Sequence, residues 1–373
     1  MRFLHTADWH VGKELNGYDL TADHQVAFEQ IKSLAQTEHV DAIVVAGDLY
    51  DRRVPREAAV ATVNQELKEL NLELEYPVLA VSGNHDSAIR LGTGSDWYQA
   101  TNFYLHTELA QAFEPVVVGD TQWFLLPYFE LQAVRNYFHD DTIQSLPVAM
   151  EKIVAEMQAK FEPQYHQVLV AHFFAAGSSR TESETKVEVG GLNAVPTDLL
   201  AGFDYVALGH LHNPNALQLP RIKYSGSPLK MSTSEATIEK GVWIVDTKTQ
   251  QVTWHALQPK HDLRLVIGAF DELVAGNEAG NHDDYVAINL TDEQAIPDVM
   301  SRLRVVYPRI LSLHRLHGAQ IKSLATTKQV NVKQAPLALL ADFYQLVTDG
   351  QQLNPAQQQW AKTSLEQVLK GDD

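Results

Sequence analysis

The sequence contains no cysteine, has a deficit of positive charge and lacks any long hydrophobic run. Because none of its 373 residues is Cys, disulfide bonds and thiolate zinc sites are excluded. No apolar run approaches the roughly 18 residues that a membrane-spanning helix needs. The first residues enter strand-like sequence directly and show no signal-peptide pattern. We therefore expect a cytoplasmic protein with no membrane segment.

Positive charge is scarce: the sequence has 29 Lys and Arg residues and 47 Asp and Glu residues, which gives a net charge of −18. Proteins that bind polyanions without sequence preference usually present a basic face. If DNA is the substrate, then local basic loops, metal ions or a partner must supply the positive field. The hydrophobic content of 45% and charged content of 20% are those of a globular protein, and the length allows two domains.

The first part of the chain alternates predicted strands and helices. Strands are predicted at 2–7, 42–46 and 77–81, and helices at 21–39 and 55–70, with Pro55 at the first helical position. Further predictions are strands at 116–118, 123–126, 167–171 and 204–208, a helix at 151–161, and antiparallel strands at 221–224, 241–246 and 251–257. This alternation favours a layered α/β core.

A boundary near residue 259 separates this first domain, 1–259, from a smaller α/β unit at 260–317. Within the smaller unit, strands are predicted at 263–267, 285–290 and 310–314, and a helix at 297–306. A polar linker, 318–334, leads to a helical tail, 335–373, with two apolar stripes. The first stripe is Leu339, Leu340, Phe343, Leu346 and Val347, ended by Gly350; the second follows Asn354 and Pro355 and contains Trp360, Leu365, Val368 and Leu369. Such stripes indicate either ordinary core packing or docking on a partner.

The segment from Ile43 to Asp51 organises the rest of the chain. A short β-branched apolar run, typical of a buried strand, breaks at Gly47 and is followed by the carboxylates of Asp48 and Asp51. Ligands of open α/β sheets bind at the carboxyl ends of the strands. We hypothesise that Asp48 bridges two metal ions, one ion per carboxylate oxygen.

Five separate loops, each after a strand-like run, carry metal-ligand side chains. They contain Asp8 and His10; Asp48 and Asp51; Asn84, His85 and Asp86; His172; and His210 and His212. Imidazole, carboxylate and amide oxygen together suit manganese, iron or zinc, and two such ions about 3.5–4 Å apart clamp a phosphoryl group. Each motif alone is equally typical of a turn or a packed histidine, and the chain has 16 His. The joint occurrence in this order is what indicates a two-metal centre.

These ordered motifs resemble those of the calcineurin-like metallophosphoesterases. Within that superfamily, residues 5–12, 224–229 and 234–242 are similar to the SbcD family, the nuclease subunits of bacterial SbcCD complexes. The resemblance covers about residues 1–260 by motif and the remainder by arrangement. It implies a four-layer α-β-β-α sandwich, a small α/β capping domain that binds DNA, and a C-terminal helical pair.

The resemblance also implies a role for each site residue. One ion would be held by Asp8, His10, Asp48 and His212, and the other by Asp48, Asn84, His172 and His210. His85 would be a catalytic group that does not bind metal; it would steady the phosphate or protonate the leaving oxygen. We hypothesise that the Asp51 carboxylate orients His85. Arg52 and Arg53, which follow the metal loop, are candidate contacts to DNA phosphates, with solvated surface charge as the alternative.

The activity implied by the resemblance is that of a manganese-dependent nuclease. It would combine 3′-5′ double-strand exonuclease with single-strand endonuclease activity, and would open hairpin ends in DNA repair and recombination. Its helical tail would dock on the coiled coil of an SbcC-type ABC ATPase, in a heterotetramer containing a homodimer of this chain. The alternatives are a metallophosphatase or nucleotide phosphodiesterase of the same superfamily, and a non-enzymatic scaffold, which would be expected to have lost ligands.

Overall fold

The computed structural model describes residues 1–179, 181, 194–294, 296–316, 336–347 and 352–370. The chain divides into two compact units, one formed by Met1–Leu265 with Asp283–Ala287 and the other by Val266–His282 with Ile288–Asp373. The predicted domain boundary at residue 259 stays a prediction. Among the helices described, none is both long and apolar enough to cross a membrane.

The first half of the larger unit contributes four neighbouring strands to a six-stranded sheet. Its elements are β1 (Arg2–Thr6), β2 (Glu14–Leu15), β3 (Tyr18–Asp19), α1 (Thr21–Thr37), β4 (Ala42–Ala46), α2 (Glu57–Lys68), β5 (Val78–Val81), α3 (Ala88–Leu91), α4 (Ser95–Tyr98) and β6 (Phe103–His106). Strands β1, β4, β5 and β6 run parallel, and the three strands predicted here are confirmed to within one residue at each end.

Helix α2 begins later than predicted. Arg56 precedes the first helical residue with an extended backbone (φ −68°, ψ 152°), so Pro55 lies outside the helix and the prediction that it occupies the first helical position is wrong. At its other end the helix continues into one wider π-helical segment, Glu69–Glu73.

A five-stranded sheet follows, in the order β11-β10-β9-β8-β7. Its elements, with the two helices between them, are β7 (Val116–Val118), β8 (Thr121–Leu126), α5 (Leu131–Phe138), α6 (Leu146–Gln158), β9 (His166–His172), β10 (Tyr205–Gly209) and β11 (Ile222–Tyr224). Strand β11 pairs parallel with β10, so the predicted antiparallel direction is wrong there. The apolar pattern marks a strand without fixing its direction, and the connection from Gly209 to Ile222 returns the chain to the starting end of the sheet.

The chain then completes the first sheet with an antiparallel hairpin, β12 (Gly241–Asp246) and β13 (Gln251–Ala256). Strand β12 pairs antiparallel with β1, which gives the order β13-β12-β1-β4-β5-β6. The antiparallel direction predicted for these two strands is confirmed.

The two sheets share one apolar layer. Phe3 and Val44 of the first sheet join Trp123 and Val168 of the second in a single buried cluster, in which the Phe3 and Trp123 rings meet edge to face at 4.8 Å. A second cluster packs α5 and α6 on the outer face of the second sheet, and α1 and α2 present their own buried faces. This is the expected four-layer α-β-β-α sandwich.

The remaining elements form a three-stranded sheet in the order β14-β15-β16 and a helical pair. They are β14 (Leu263–Gly268), α7 (Phe270–Val274), β15 (Tyr285–Leu290), α8 (Val299–Leu303), β16 (Arg309–Arg315), α9 (Pro336–Val347) and α10 (Pro355–Lys370). Asn354 and Gln357 exchange reciprocal hydrogen bonds of 2.9 Å at the start of α10, which confirms the predicted N-cap. The predicted linker 318–334 and Gly350 lie outside the described residues.

His5 in β1 gives the fold a defined response to acid. The ring is completely buried, with Nδ1 3.1 Å from the Tyr205 hydroxyl, and burial lowers the pKa of His5 to about 3. Because its pKa is lower in the folded than in the unfolded state, His5 favours folding above the ordinary pKa of 6.5 and costs up to about 1.4 kcal/mol per pH unit below it.

We therefore expect the free energy of unfolding of wild type to fall more steeply than that of His5→Asn as pH drops from 6.5 to 5, by up to about 2 kcal/mol in total. Urea unfolding of the metal-free proteins measures both slopes. Parallel slopes would contradict the assignment to His5.

Candidate metal centre

The structure brings the five predicted loops together at one edge of the two sheets. Asp8, Asp48 and Asn84 follow β1, β4 and β5 of the first sheet, whereas His172 ends β9 and His210 follows β10 of the second. Because these strands run parallel within each sheet, their carboxyl ends present the loops side by side. The seven predicted ligands thus lie in one cluster, which is largely buried.

One half of the cluster contains Asp8, His10 and His212. Each of them offers a donor atom, and these atoms all lie within 4.8 Å of one another. The Nε2 atoms of His10 and His212 are only 3.1 Å apart. Two imidazole nitrogens this close either share a proton or can share a cation, and together with the Asp8 carboxylate they form a donor set for a divalent ion.

The other half is organised by Asn84. Its Oδ1 lies 2.9 Å from His172 Nε2 and 2.9 Å from His210 Nδ1. His172 donates from Nδ1 to the main-chain oxygen of Ala46 at 2.9 Å, so Nε2 is the ring nitrogen that faces the cluster. An amide oxygen between two imidazoles is again a donor set for a borderline divalent ion.

Asp48 lies between the two halves. Its Oδ2 is 3.7 Å from His10 Nε2 and 3.3 Å from His172 Nε2. Its Oδ1 instead accepts the main-chain N–H of His85 at 2.8 Å. The same oxygen, Oδ2, therefore faces both halves, and the expectation of one ion per oxygen stays a prediction.

Burial and neighbouring charges set the ionisation of the cluster. Burial alone would raise the pKa of Asp48, but His172 and His10 bring it below its ordinary value. In turn, although burial opposes the shift, Asp48 raises the pKa of His172 to about 9. Burial lowers the pKa of His10 well below its usual range and that of His210 to about 3. The ionised carboxylate of Asp48 and the neutral imidazoles of His10 and His210 are in the form that binds metal, whereas His172, whose pKa is raised, would have to release a proton when a cation binds.

Four cluster residues other than glycine have a left-handed backbone. The φ angles are 52° at Asp8, 45° at His10, 51° at Asp48 and 95° at His210. Side chains with a Cβ rarely adopt this conformation, and each instance costs about 1–3 kcal/mol. Such strain persists where the surroundings hold it and concentrates at functional sites. The motif sequences contained no signal of it.

The glycines before three of the predicted ligands are required by close packing. A Cβ at Gly47 would lie 2.4 Å from His172 Nδ1, and one at Gly83 would lie 2.2 Å from Asp48 Oδ1. At Gly209 it would lie 1.9 Å from the main-chain oxygen of Ala46. Because a main-chain oxygen has no rotamer by which to move away, Gly209 is the least replaceable of the three.

We expect Gly209→Ala to separate the two sheets locally and to lower the melting temperature by about 10 °C or more, as a clash of several kcal/mol does in a protein of this size. Differential scanning calorimetry measures the change. The matched control is Gly202→Ala, whose new Cβ would clash only with the movable tip of the Gln158 side chain and would make an ordinary contact with Phe161; it should cost less than about 1 kcal/mol. Equal melting temperatures for the two variants would contradict the packing argument.

His85 is held by Asp51, but through a different atom from the one predicted. His85 Nδ1 lies 2.8 Å from the main-chain oxygen of Asp51, whereas the Asp51 carboxylate lies 2.9 Å from Lys13 Nζ. The predicted orienting contact from the carboxylate is therefore corrected to one from the backbone. Donor atoms of His10, Asp51 and His85 also lie within 4.8 Å of one another, so His85 borders the first half of the cluster.

Arg52 and Arg53 lie on the surface next to this loop. Their side chains are 52% and 63% exposed, and their nearest carboxylates are Asp51 at 3.3 Å and Glu130 at 4.0 Å. Partly paired, exposed guanidinium groups are available to a polyanion. Their contact with DNA phosphates stays a prediction.

Two carboxylates that support the cluster were not given a role from the sequence. Asp86 is buried and accepts the main-chain N–H groups of Leu49, Tyr50 and Gly83, so it ties the Asp48 loop to the Asn84 loop. Its position in the Gly-Asn-His-Asp motif was the available signal. Glu235, also buried, lies 3.4 Å from His212 Nδ1; it comes from a segment that contains no predicted ligand.

Two family models match the sequence. Residues 1–214 match "Calcineurin-like phosphoesterase", and residues 259–348 match "Type 5 capsule protein repressor C-terminal domain". Among curated proteins, the SbcD chain of the SbcCD nuclease of Staphylococcus epidermidis is 32% identical over 99% of each chain. The protein of the same name from Staphylococcus saprophyticus is 33% identical over 84% of each chain.

Solved structures with a related arrangement are more distant. TT1561 of Thermus thermophilus matches 69% of this chain and 99% of its own, with 12% identity and a TM-score of 0.39. A dimetal phosphatase from Danio rerio matches 65% of this chain and 91% of its own, also with 12% identity and a TM-score of 0.39. These likenesses are too low to support a conclusion about function.

Proposed function

Because the chain belongs to the SbcD family of calcineurin-like phosphoesterases and is a metal-dependent nuclease, we propose that it cleaves DNA ends and hairpins with two manganese ions. The reactions are 3′-5′ double-strand exonuclease and single-strand endonuclease cleavage. The observation that carries the proposal is Asp48 Oδ2, which lies within 3.7 Å of a histidine from each half of the cluster. That is the position of a bridging ligand.

The donor set fits two divalent ions. Asp8, His10, Asp48 and His212 would hold one, and Asp48, Asn84, His172 and His210 the other. When bound, the ions would neutralise charge on the phosphoryl oxygens and activate water. The mixture of carboxylate, amide and imidazole suits manganese better than calcium, which prefers oxygen ligands alone.

His85 would act on the scissile phosphate rather than on an ion. Its Nδ1 faces the Asp51 carbonyl oxygen at 2.8 Å, which requires the proton on Nδ1 and leaves Nε2 as the nitrogen that can face a substrate. The side chain is half-buried, in contrast to the buried His10, against which its ring stands perpendicular at 4.8 Å. A histidine so held can steady a phosphoryl oxygen or protonate the leaving 3′-oxygen.

The acidic net charge of −18 favours DNA binding that depends on more than this chain. We propose that an SbcC-type ABC ATPase binds the helical tail and supplies part of the DNA affinity, and that Arg52 and Arg53 contact phosphates near the cut. A capping role for residues 260–317 and a cytoplasmic location belong to the same proposal.

The test compares substrates at fixed metal. With Mn²⁺, the purified chain and its complex with an SbcC-type ATPase are expected to degrade linear duplex DNA and open a hairpin, with a far lower kcat/KM on p-nitrophenyl phosphate. A phosphatase of the same superfamily would show the opposite ranking. Equal activity with and without Mn²⁺ in either assay would count against the metal centre.

A homodimer is also part of the proposal, and an exposed apolar groove is a suitable interface. A cavity of about 700 Å³ runs beside α2 and α4, and Val60 and Trp97 at this groove are 36% and 79% exposed. The exposed apolar side chains at this groove are our candidate contact surface for a second copy of the chain. We expect Trp97→Glu to shift the chain from dimer to monomer in light scattering, with Trp360→Glu in the tail as the control that leaves the dimer intact. A dimer that survives Trp97→Glu places the interface elsewhere.

A further inference from the structure

His212 is held from two sides by an ion pair that the metal motifs do not include. The Glu235 carboxylate lies 3.4 Å from His212 Nδ1. Lys240 Nζ donates to the main-chain oxygen of His212 at 2.7 Å and to Glu235 Oε2 at 2.5 Å. Both charged side chains are buried. Each of them contacts His212, and they also contact each other.

The charges of this pair are fully engaged. Besides the two acceptors above, Lys240 donates to Ser227 Oγ at 2.9 Å, which uses all three of its protons. Glu235 Oε2 also accepts the main-chain N–H of Met231 at 3.2 Å. Since well-packed apolar residues often stabilise a core as well as a buried ion pair does, stability alone does not account for two charges that converge on His212.

The contact at Nδ1 has a chemical consequence for the ring. A carboxylate there requires the proton on Nδ1, which leaves the lone pair on Nε2. It is Nε2 that lies 3.1 Å from His10 Nε2 inside the cluster. The main-chain contact fixes the other end of the residue, and Gly226 packs so closely that an added Cβ would lie 2.6 Å from the His212 oxygen.

His10, which faces His212, lacks such support. Among the described residues its Nδ1 has no hydrogen-bond partner, and the nearest carboxylate oxygen, Asp51 Oδ1, is 4.0 Å away. Of the two imidazoles that meet in this half of the cluster, therefore, His212 is the one whose orientation and tautomer are set by a carboxylate.

We propose that Glu235 and Lys240 are positioning residues that fix the ring and the tautomer of His212, and thereby set the affinity of the ion on the Asp8, His10 and His212 side. This role rests on the proposed function, because it requires that an ion bind at the Asp8, His10 and His212 side. Neither residue touches the substrate.

The test is Mn²⁺ binding by the full-length chain, followed by isothermal titration calorimetry. The variant Glu235→Leu with Lys240→Met removes both charges together, so that neither is left buried and unpaired. We expect one of the two ions to bind about 10–100-fold more weakly, as for other supporting residues of metal sites, and the other to change less than about threefold.

The matched control is Glu66→Gln. Glu66 forms a second buried histidine–glutamate pair, with its Oε1 2.9 Å from His24 Nε2, but His24 is not a predicted ligand. A general loosening of the fold would weaken Mn²⁺ binding in both proteins. The proposal requires that the control keep both wild-type affinities.

A second measurement needs no metal. Long-range ¹H–¹⁵N spectra of the metal-free, histidine-labelled chain report which nitrogen of His212 carries the proton, with His212→Gln identifying the signal. We expect Nδ1–H in wild type and a tautomer mixture in the double variant. Absence of Mn²⁺ binding by wild type would overturn the proposed function, and the tautomer would then decide on the positioning role. If the double variant binds both Mn²⁺ ions with wild-type affinity and keeps the wild-type tautomer of His212, the positioning role is overturned and the proposed function is not.

Discussion

Asp48→Asn is expected to lower Mn²⁺-dependent DNA hydrolysis by about 10³-fold or more, which corresponds to at least about 4 kcal/mol of transition-state stabilisation. The reason is position: Asp48 Oδ2 faces His10 at 3.7 Å and His172 at 3.3 Å, so this one carboxylate serves both halves of the cluster. Asparagine keeps the shape and can still accept the His85 N–H, but it removes the negative charge that two cations would share.

The measurement is kcat on linear duplex DNA together with the number of Mn²⁺ ions bound per chain. We expect the ion count to fall below two in Asp48→Asn, while circular dichroism shows an intact fold. Asp141→Asn is the matched control, because Asp141 is exposed and lies ahead of α6; its activity should equal that of wild type. A variant that retains two ions and wild-type turnover would exclude Asp48 as the bridging ligand.

The sequence was sufficient to predict which residues gather in the cluster, because each ligand lies next to a buried strand whose end is easily recognised. Asp48 follows five consecutive buried residues, Ala42–Ala46, and His172 ends a seven-residue strand. Parallel strands deliver such residues to one edge, so element type and order were enough. The pattern did not fix strand direction at the edge of the second sheet, where β11 proved parallel.

The finer geometry could not be predicted, because it depends on contacts that form only when the chain is folded. The backbone oxygen of Asp51, rather than its carboxylate, holds His85, and sequence patterns report side chains alone. The left-handed backbone at Asp8 and Asp48 is a conformation that Asp adopts only occasionally, so the residue type alone does not predict it. Glu235 lies 23 positions beyond His212 in a segment without ligand spacing, so its contact was likewise not visible.

The second large effect is expected at His85. His85→Asn should lower DNA hydrolysis by about 10²–10⁴-fold, the range of a positioned acid–base group, without changing the number of Mn²⁺ ions bound. The latter expectation follows from the two proposed ligand sets, neither of which includes His85. His39→Asn is the control, since His39 is exposed and has a left-handed backbone (φ 50°) that asparagine tolerates. Loss of one ion in His85→Asn would instead make His85 a ligand, as its nearness to His10 and Asp51 within 4.8 Å allows.

The leaving group then separates the two catalytic roles open to His85. DNA releases a 3′-alkoxide that needs a proton, whereas bis-p-nitrophenyl phosphate releases a phenolate that does not. If His85 protonates the leaving oxygen, His85→Asn should lose about 10²-fold or more on DNA and less than about 10-fold on the activated ester. If His85 instead steadies a phosphoryl oxygen, the loss should be the same on both substrates, because the charge on that oxygen develops with either leaving group. We expect the first pattern, since the Asp51 carbonyl oxygen engages Nδ1 and leaves Nε2 as the nitrogen that can face the leaving oxygen.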